Sequence, residues 1–380
     1  MGKGVFGLKE EAALARTVIK KRLAGQPAPD IWFLIILMLL VCYGLVMLFS
    51  AGYAVALYRR GDAYTYIRPQ LLFAAFGAAA MYAASLVDYH IWQRLAVFGY
   101  LAAVALSVAV MLFGREINGS KRWLALGPFS FQPSEFAKVA LILFLADLVT
   151  KNVKTIGKMW TLCRIMFWIL PIVGLVGASN LSTAIIILGI GVILIFVASP
   201  KYAQFALMGI AGACFMGIFL ALESYRLERL AIWRNPEKYE KGYQTLQGLY
   251  AIGSGGVFGV GIGNSVQKLG FVPEAQNDMI FSIICEELGL AGAGIIVFLF
   301  LLLIWRFFLI ASGSRDLFGA LIATGAMAHM MIQVILNIAV VTNTIPNTGI
   351  TLPFISYGGT SVMFLLIEMG LVLSVSQVAA

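Results

Sequence analysis

The sequence predicts an all-α, polytopic integral membrane protein with about ten transmembrane helices and a large extracytoplasmic loop between helices 7 and 8. Two observations predict this fold class. Of the 380 residues, 61% are hydrophobic and only 12% are charged, whereas a soluble domain carries about 25% charged residues. The apolar residues also form runs that are long enough to cross a bilayer as helices. This composition excludes a water-soluble enzyme, a disordered chain and a disulfide-stapled secreted scaffold.

Ten apolar runs define the predicted helices, because in hydrocarbon every backbone amide must be hydrogen-bonded within its own helix. The runs are 31–57, 69–87, 91–113, 134–150, 163–179, 182–198, 201–222, 279–310, 317–341 and 354–377. They form a transmembrane domain over 31–380, with 223–278 as the large external loop. Residues 1–30 form a basic cytoplasmic tail, which is compatible both with a short surface helix and with a disordered segment.

The distribution of Lys and Arg predicts the orientation of these helices. With a cytoplasmic N-terminus, the cytoplasmic segments hold 14 basic residues and the short outer loops hold six. This asymmetry agrees with the positive-inside rule. Ten spans then return the C-terminus to the cytoplasm. The same bias accounts for the net charge of +9, so we expect membrane lipids and no nucleic acid as partners.

Several charged residues fall inside the apolar runs, where an ionised side chain needs a partner or a function. Glu135 and Lys138 lie at i and i+3 on one face of the fourth helix. Two interpretations are open for them, a buried structural ion pair and the charged wall of a polar cavity. Glu286 and Glu287 are adjacent in the eighth run, and we expect neighbouring helices to satisfy one or both of them, while Glu368 lies alone in the last run. The two histidines, His90 and His329, are too far apart in sequence to predict a metal site.

The long external loop is the densest polar region and ends at Asp278. It contains a glycine-rich run, 253–263, which lacks the Gly-Lys-Ser/Thr ending of a nucleotide P-loop. Glycines at this density indicate tight turns and a close approach of the backbone to a bulky neighbour. Asp278 itself is a lone carboxylate at the membrane boundary. It could serve as a helix N-cap, a role equally open to Asn277, or as a functional acid.

Seven segments occur in one order along the chain. They are Asn118–Trp123, Phe131–Lys138, Ala251–Gly256, Gly263–Lys268, Pro273–Asp278, Glu286–Gly289 and Leu352–Gly359. Together they resemble the SEDS family of cell-wall polymerases from the first apolar run to the C-terminus. Gly-Asn-Ser-Val-Gln-Lys followed by Pro-Glu-Ala resembles the division and sporulation branch (FtsW, SpoVE) more than the elongation branch (RodA).

The resemblance implies a peptidoglycan glycosyltransferase of the bacterial cytoplasmic membrane. Its substrate would be lipid II, and its partner a class B penicillin-binding protein. Asp278 falls on the essential acidic position of the family, and Glu135 and Lys138 fall on its embedded charged pair. The resemblance also assigns supporting roles to basic residues on the outer side. Arg226 and Arg229 match basic positions at the start of the large loop, and the external Lys121 and Arg122 are further candidates to bind a leaving pyrophosphate.

Two questions stay open at this stage. Asp278 could act as a general base in an inverting transfer, or as a ligand of a divalent cation such as Mg or Mn. A lipid II flippase or transporter is the rival function, although the polar residues concentrate on one side, which favours surface chemistry. One departure from the family pattern lies at 179–183, where Asn180 stands in place of an Asp. We therefore expect no charge-based role at that turn.

Overall fold

The computed structural model describes residues 29–117, 120–126, 129–206, 209 and 230–378, apart from the side chains of 115–121, 125–129 and 378. Helices account for most of this part of the chain, together with a small sheet. The elements are α1 Ile31–Arg60, α2 Ile67–Leu86, α3 Tyr89–Phe113, β1 Arg115–Ile117, β2 Ser120–Leu126, β3 Phe129–Phe131, α4 Pro133–Asn152, α5 Met159–Ser179, α6 Leu181–Ala198, α7 Tyr243–Ser254, α8 Ile280–Gly313, α9 Leu317–Val341 and α10 Gly359–Val378. Short 3-10 turns at Pro236–Lys238, Glu240–Gly242 and Gln267–Leu269 interrupt the long loop.

Within the described residues, eight helices are long and apolar enough to cross a membrane: α1, α2, α3, α5, α6, α8, α9 and α10. This confirms the prediction of a polytopic α-helical membrane protein. The predicted break between the fifth and sixth spans is also correct, because Asn180 ends α5 and begins α6. The predicted seventh span, 201–222, falls largely outside the described residues, so the total of ten is not tested.

The predicted fourth span forms α4, which is the central helix of the bundle. It packs against α3, α5, α6, α9 and α10, and nearly all of its side chains are buried. Its charged residues Glu135, Lys138 and Asp147 are therefore surrounded by other helices rather than by lipid, whereas Lys151 in its last turn is exposed. This position lets a helix carry Glu135 and Lys138 in the membrane, because protein groups replace the water that the charges lose.

A three-stranded antiparallel sheet, β1-β2-β3, connects α3 to α4. The apolar runs 91–113 and 134–150 predicted only a short outer loop here. Ile117 pairs with Ser120 across a two-residue connection whose sequence is Asn118-Gly119. Asn-Gly between two strands is the strongest short-range signal for a hairpin, and it lay inside one of the family-like segments. The sheet could therefore have been predicted from the sequence.

Helix α8 is broken at Gly289, which has a left-handed φ of 65° and a ψ of −165° inside an otherwise helical run. Part of the glycine-rich segment pairs with this break: Val260 N donates to Glu286 O, and Leu290 N donates to Gly256 O. A Cβ at Gly259 would lie 2.1 Å from Glu287 O. The bulky neighbour expected for the glycine run is thus the backbone of α8 itself.

Candidate functional site

Asp278 lies two residues before α8, and its side chain is 8% exposed. The N-cap position of α8 is Met279, which forms no side-chain cap hydrogen bond. The helix-cap interpretation of Asp278 and Asn277 is therefore wrong. Instead, Gln244 Nε2 lies 3.5 Å from each carboxylate oxygen of Asp278, and Asn337 Nδ2 donates to its main-chain oxygen over 2.9 Å.

The environment of Asp278 alters its acidity. Burial removes water from the carboxylate and raises the pKa of Asp278 from 3.8 to about 7, and the nearby charge of Glu274 acts in the same direction. Hydrogen bonds from Gln244 and from backbone amides oppose the rise in pKa but do not cancel it. A carboxyl group with such a pKa is half ionised near neutral pH, which suits a general base.

Three separate parts of the chain hold this region together. Asn337 of α9 donates to Ile350 O over 2.7 Å as well as to Asp278. Gln244 of α7 accepts a hydrogen bond from Asn347 Nδ2 over 3.2 Å. The connection between α9 and α10 therefore lies against Asp278, and a Cβ at Gly349 would be 3.8 Å from Asp278 Oδ2.

Glu135 and Lys138 form the expected ion pair, with Lys138 Nζ 3.0 Å from Glu135 Oε1. Their side chains are almost completely buried. Ser361 Oγ donates to Glu135 Oε2 over 2.7 Å, and Lys138 Nζ donates to Gln333 Oε1 over 3.2 Å. These contacts satisfy the pair internally, as the structural interpretation requires. Gln333 then connects it to the α9–α10 connection through Thr351 O, 3.0 Å from Gln333 Nε2.

The basic candidates are only partly described. Arg226 and Arg229, and the side chain of Lys121, lie outside the described residues. Arg122 Nε donates to Ser179 O over 3.1 Å, so Arg122 lies against the junction of α5 and α6. At that junction Asn180 caps α6 by accepting from Thr183 N over 3.3 Å, a role that needs no charge.

The same junction reaches towards Asp278 through a different residue. Ser182 Oγ, in the first turn of α6, donates to Thr348 O over 3.0 Å. Thr348 precedes Gly349, which lies beside Asp278. The α5–α6 junction therefore contacts a short segment, 348–349, that lies next to Asp278.

The adjacent glutamates of α8 have different partners. Glu287 accepts from Ser50 of α1 and forms an ion pair with Lys268, whose Nζ is 2.6 Å from Glu287 Oε1. Glu286 accepts from Ser265 Oγ and, over 3.0 Å, from Val266 N. The expectation that neighbouring helices satisfy one or both is confirmed for Glu287 by its contact with Ser50 of α1, whereas the partners of Glu286 lie in the loop before α8.

Within the described residues, no three His, Cys, Asp or Glu side chains come together to hold a metal ion. Beside Asp278, the described residues offer a divalent cation mainly amide and main-chain oxygens, which a bound diphosphate could complete. Such oxygen ligands suit Mg²⁺, which is commonly held by one or two carboxylates together with substrate phosphates.

Comparison with known proteins places this geometry in a family. The family model described as "Cell cycle protein", which covers FtsW, RodA and SpoVE, matches residues 30–380. The chain belongs to the FtsW/RodA/SpoVE family. This confirms the resemblance to SEDS proteins that the seven sequence segments indicated.

Two curated relatives locate this FtsW/RodA/SpoVE chain within its family. Stage V sporulation protein E of Bacillus subtilis (strain 168) is 40% identical over 365 residues, covering 93% of this chain and 98% of the relative. A probable peptidoglycan glycosyltransferase FtsW of Geobacter sp. (strain M18) is 34% identical over 359 residues, covering 91% and 96%. Both carry the names of the sporulation and division branch, as the sequence predicted.

The fold of this FtsW/RodA/SpoVE chain also matches a solved structure. One chain of a peptidoglycan synthase complex, described as coordinating polymerization and crosslinking, superimposes with a TM-score of 0.79. The two chains are 27% identical, and the match covers 92% of this chain and 98% of the other. The agreement over nearly the whole length confirms the multi-pass membrane fold.

Sequence reasoning missed the neutral residues that hold the site of this FtsW/RodA/SpoVE protein. Gln333 and Asn337 are amides four residues apart inside an apolar helix, and this spacing puts them on one face. Buried amides need hydrogen-bond partners, so the pair could have been singled out from the sequence. Nothing local marked Gln244, because its partners lie 34 and 103 residues away.

Proposed function

We propose that this chain is a peptidoglycan glycosyltransferase that polymerises lipid II into glycan strands at the outer face of the bacterial cytoplasmic membrane, during cell division or sporulation. The observation that carries the proposal is the buried carboxyl group of Asp278, whose pKa is raised to about 7. Gln244 and Asn337 hold it at the start of a membrane-spanning helix. The names of the FtsW and SpoVE relatives support the same assignment.

The proposed reaction is an inverting glycosyl transfer. The 4-hydroxyl of the acceptor GlcNAc gives its proton to Asp278 while its oxygen attacks the anomeric carbon of the donor sugar. The bond from that carbon to the lipid-linked pyrophosphate breaks at the same time. A base on the face opposite the leaving group follows the logic of inverting glycosidases, and it supplies about 10²–10⁴-fold in rate.

The leaving pyrophosphate requires positive charge. We assign this role to Arg226, Arg229, Lys121 and Arg122, the basic residues of the outer loops. A divalent cation is the alternative source of charge, with Asp278 as one of its ligands rather than the base. The two roles predict different effects of EDTA on polymer synthesis.

Access to Asp278 requires movement. The carboxyl group is only 8% exposed, and Gln244 lies beside it in hydrogen-bond contact with Asn347. A substrate hydroxyl would reach Asp278 after Gln244 and Asn347 separate, which moves α7 away from the α9–α10 connection. Because burial away from water is what raises the pKa of Asp278, exclusion of water until substrate arrives also keeps that pKa raised.

The proposed topology places both termini in the cytoplasm, 1–30 as a tail and 223–278 on the outer side. Asp278 then lies at the outer boundary of the bilayer, where lipid II presents its sugar. A class B penicillin-binding protein is the proposed partner, since the synthase complex that contains a similar chain couples polymerization to crosslinking.

The test is polymerisation of labelled lipid II by the purified protein, with and without its partner and EDTA. Asp278→Asn should reduce polymer synthesis by at least about 100-fold, because the amide neither accepts the proton nor binds a cation strongly. Asp62→Asn is the matched control. Asp62, in the α1–α2 connection, is a surface carboxylate that forms an ion pair with Arg68. It should retain full activity.

The outcomes separate the alternatives. Activity lost in EDTA and restored by Mg²⁺ or Mn²⁺ would favour the ligand role, and activity insensitive to EDTA would favour the base. Near-normal synthesis by Asp278→Asn would refute both roles. If neither variant nor the wild type makes polymer but all move lipid II across vesicles, the flippase alternative is correct instead.

Loss of activity in Asp278→Asn should not reflect unfolding. The folded-state pKa of Asp278 lies above its ordinary value, so the folded state loses stability as pH rises from about 4 through about 7. The Asn variant avoids this penalty. Its melting temperature should therefore equal or exceed that of the wild type at pH 8, and the difference should vanish near pH 4. A lower melting temperature at pH 8 would contradict this account.

A further inference from the structure

Polar side chains continue beyond the Glu135–Lys138 pair into the middle of the bundle. Gln333 Oε1, which accepts from Lys138, also lies 2.9 Å from His329 Nε2. The other ring nitrogen, His329 Nδ1, lies 2.8 Å from Glu368 Oε2. His329 and Glu368 stand about halfway along α9 and α10, and each is almost completely buried. The two residues are 39 positions apart in the chain, and no local pattern links them.

The amide of Gln333 has only one workable orientation. Its Nε2 donates to Thr351 O over 3.0 Å, and its Oε1 faces the ammonium of Lys138. A Lys ammonium can only donate, and a carbonyl can only accept. Reversal of the amide would set two donors against each other at Lys138 and two acceptors against each other at Thr351. Gln333 Oε1 therefore faces His329.

This orientation determines where the protons of His329 lie. Because Nε2 faces an oxygen, it must carry a hydrogen. Nδ1 then forms a hydrogen bond with Glu368 only if a second proton lies between them, on the ring or on the carboxyl group. Without that proton, a lone pair would face a carboxylate at 2.8 Å. Glu368 Oε1 has no hydrogen-bond partner in the described part of the chain, which makes a bare carboxylate there more costly.

We propose that His329 and Glu368 hold one proton between them inside the membrane, and that this proton keeps Gln333 in the orientation that positions Lys138 and the Thr351 segment. The charges support this assignment. Among the described residues, the charged groups that contact this series of polar side chains are Glu135 and Lys138 of α4, and their charges cancel. With one shared proton the His329–Glu368 pair is also neutral, as a site in the middle of a bilayer favours.

The proton has a consequence for the candidate catalytic acid. If it is lost, the hydrogen on His329 moves to Nδ1 to meet the carboxylate, and Nε2 becomes an acceptor facing Gln333 Oε1. Gln333 must then rotate, which breaks its contacts with Lys138 and Thr351. Thr351 follows Ile350, whose main-chain oxygen accepts a hydrogen bond from Asn337 Nδ2. The same amide nitrogen donates to the main-chain oxygen of Asp278. Gln333 is thus a positioning residue for Asp278; this step rests on the proposed function.

The proton can be tested without measuring activity. The chain has two histidines, so a His90→Asn background leaves His329 as the single imidazole for ¹⁵N NMR. We expect Nε2 to carry hydrogen, either in an imidazolium or in a neutral ring. In the neutral case, infrared spectra should contain a carboxylic acid band that Glu368→Gln removes. A neutral ring with hydrogen only on Nδ1, or a neutral ring with no acid band, would overturn the proposal.

The positioning role is tested by kinetics. Gln333→Leu should lower kcat for lipid II polymerisation about tenfold and change KM less than about twofold. Ile335→Ala is the matched control, because Ile335 lies on the same helix but is exposed on its surface, and it should leave both constants unchanged. Glu368→Gln retains an N–H donor for His329 Nδ1, so it should lose much less activity than Glu368→Leu.

The results distinguish this proposal from the proposed function. A Gln333→Leu protein with normal kcat, or equal loss in the two Glu368 variants, would refute the positioning role. If the wild-type protein makes no polymer, the proposed function fails, while the NMR and infrared spectra still decide whether the proton is present. The spectra also decide the matter if Gln333→Leu does not fold.

Discussion

At the scale of single residues, the environment of a side chain decides its chemistry. Asp278 and Asp62 are both carboxylates next to a membrane-spanning helix. Asp62 is exposed and paired with Arg68, whereas Asp278 is buried beside neutral amides. Burial raises the pKa of Asp278 to about 7, because no cation among the described residues compensates for the water that the carboxylate loses.

The raised pKa predicts the pH dependence of polymerisation. A base works in its ionised form, so kcat/KM should rise about tenfold from pH 6 to pH 8, with a midpoint near 7. Initial rates on labelled lipid II measure this profile. Gln244→Leu removes a hydrogen bond that lowers the pKa of Asp278, so its midpoint should move to higher pH. A flat profile, or a midpoint that does not move, would refute the base role.

The Glu135–Lys138 pair makes a prediction about stability. Lys138→Ala leaves Glu135 buried without its cation, which typically costs about 3–5 kcal/mol. The double change Glu135→Leu with Lys138→Met removes both charges and should be milder. Unfolding in detergent, followed by circular dichroism, compares the two proteins. Equal destabilisation by the single and double changes would show that the unpaired charge of Glu135 is not what destabilises Lys138→Ala.

At the scale of elements, a broken helix and close backbone contacts shape the end of the bundle that carries Asp278. α8 is interrupted at Gly289, and the glycine-rich segment hydrogen-bonds to the main chain at the break. The buried Lys268–Glu287 ion pair fastens the following part of the loop to the same helix. The loop that ends in Asp278 is therefore fixed to α8 by two sets of contacts, the main-chain hydrogen bonds at the break and this ion pair. Together they restrict where the acid can lie.

Glycine at position 289 should be essential for this arrangement. Its backbone conformation is one that only glycine adopts readily, and a Cβ there would lie 2.4 Å from Gly259 N. Gly289→Ala should therefore destabilise the protein by about 1–3 kcal/mol or more. Gly294→Ala is the matched control, because nothing lies within 4 Å of its added Cβ. Thermal unfolding should separate the two variants; similar melting temperatures would show that the break is not required.

At the scale of the whole molecule, the packing puts Glu135, Lys138 and Asp147 of α4 inside the bundle and leaves apolar surfaces for lipid. α4 contacts five other membrane helices, whereas α1, α2 and α3 expose many large apolar side chains. A helix with several charges can therefore sit among membrane spans although its own hydropathy is low. Its neighbours supply the hydrogen bonds that lipid cannot.

The proposed topology can be tested by cysteine labelling. In a background without Cys42, Cys163, Cys214 and Cys285, Tyr58→Cys lies at the exposed C-terminal end of α1, and Lys154→Cys lies on the surface between α4 and α5. A membrane-impermeant maleimide should label position 58 in intact spheroplasts and position 154 only after permeabilisation. The reverse pattern would place Asp278 on the cytoplasmic side and end the proposed function.

The sequence by itself determined the membrane class, most helix boundaries and the family, because hydropathy and short motifs act over neighbouring residues. It also singled out Asp278, Glu135 and Lys138 as charges that need an explanation. Only the tertiary structure decided their partners. Gln244 meets Asp278 across 34 residues, and Glu368 meets His329 across 39. Unpaired polar groups are costly in a membrane, so helices that are distant in sequence must bring their buried polar residues together. The packing of the helices decides which of these residues meet. No local sequence pattern encodes that packing.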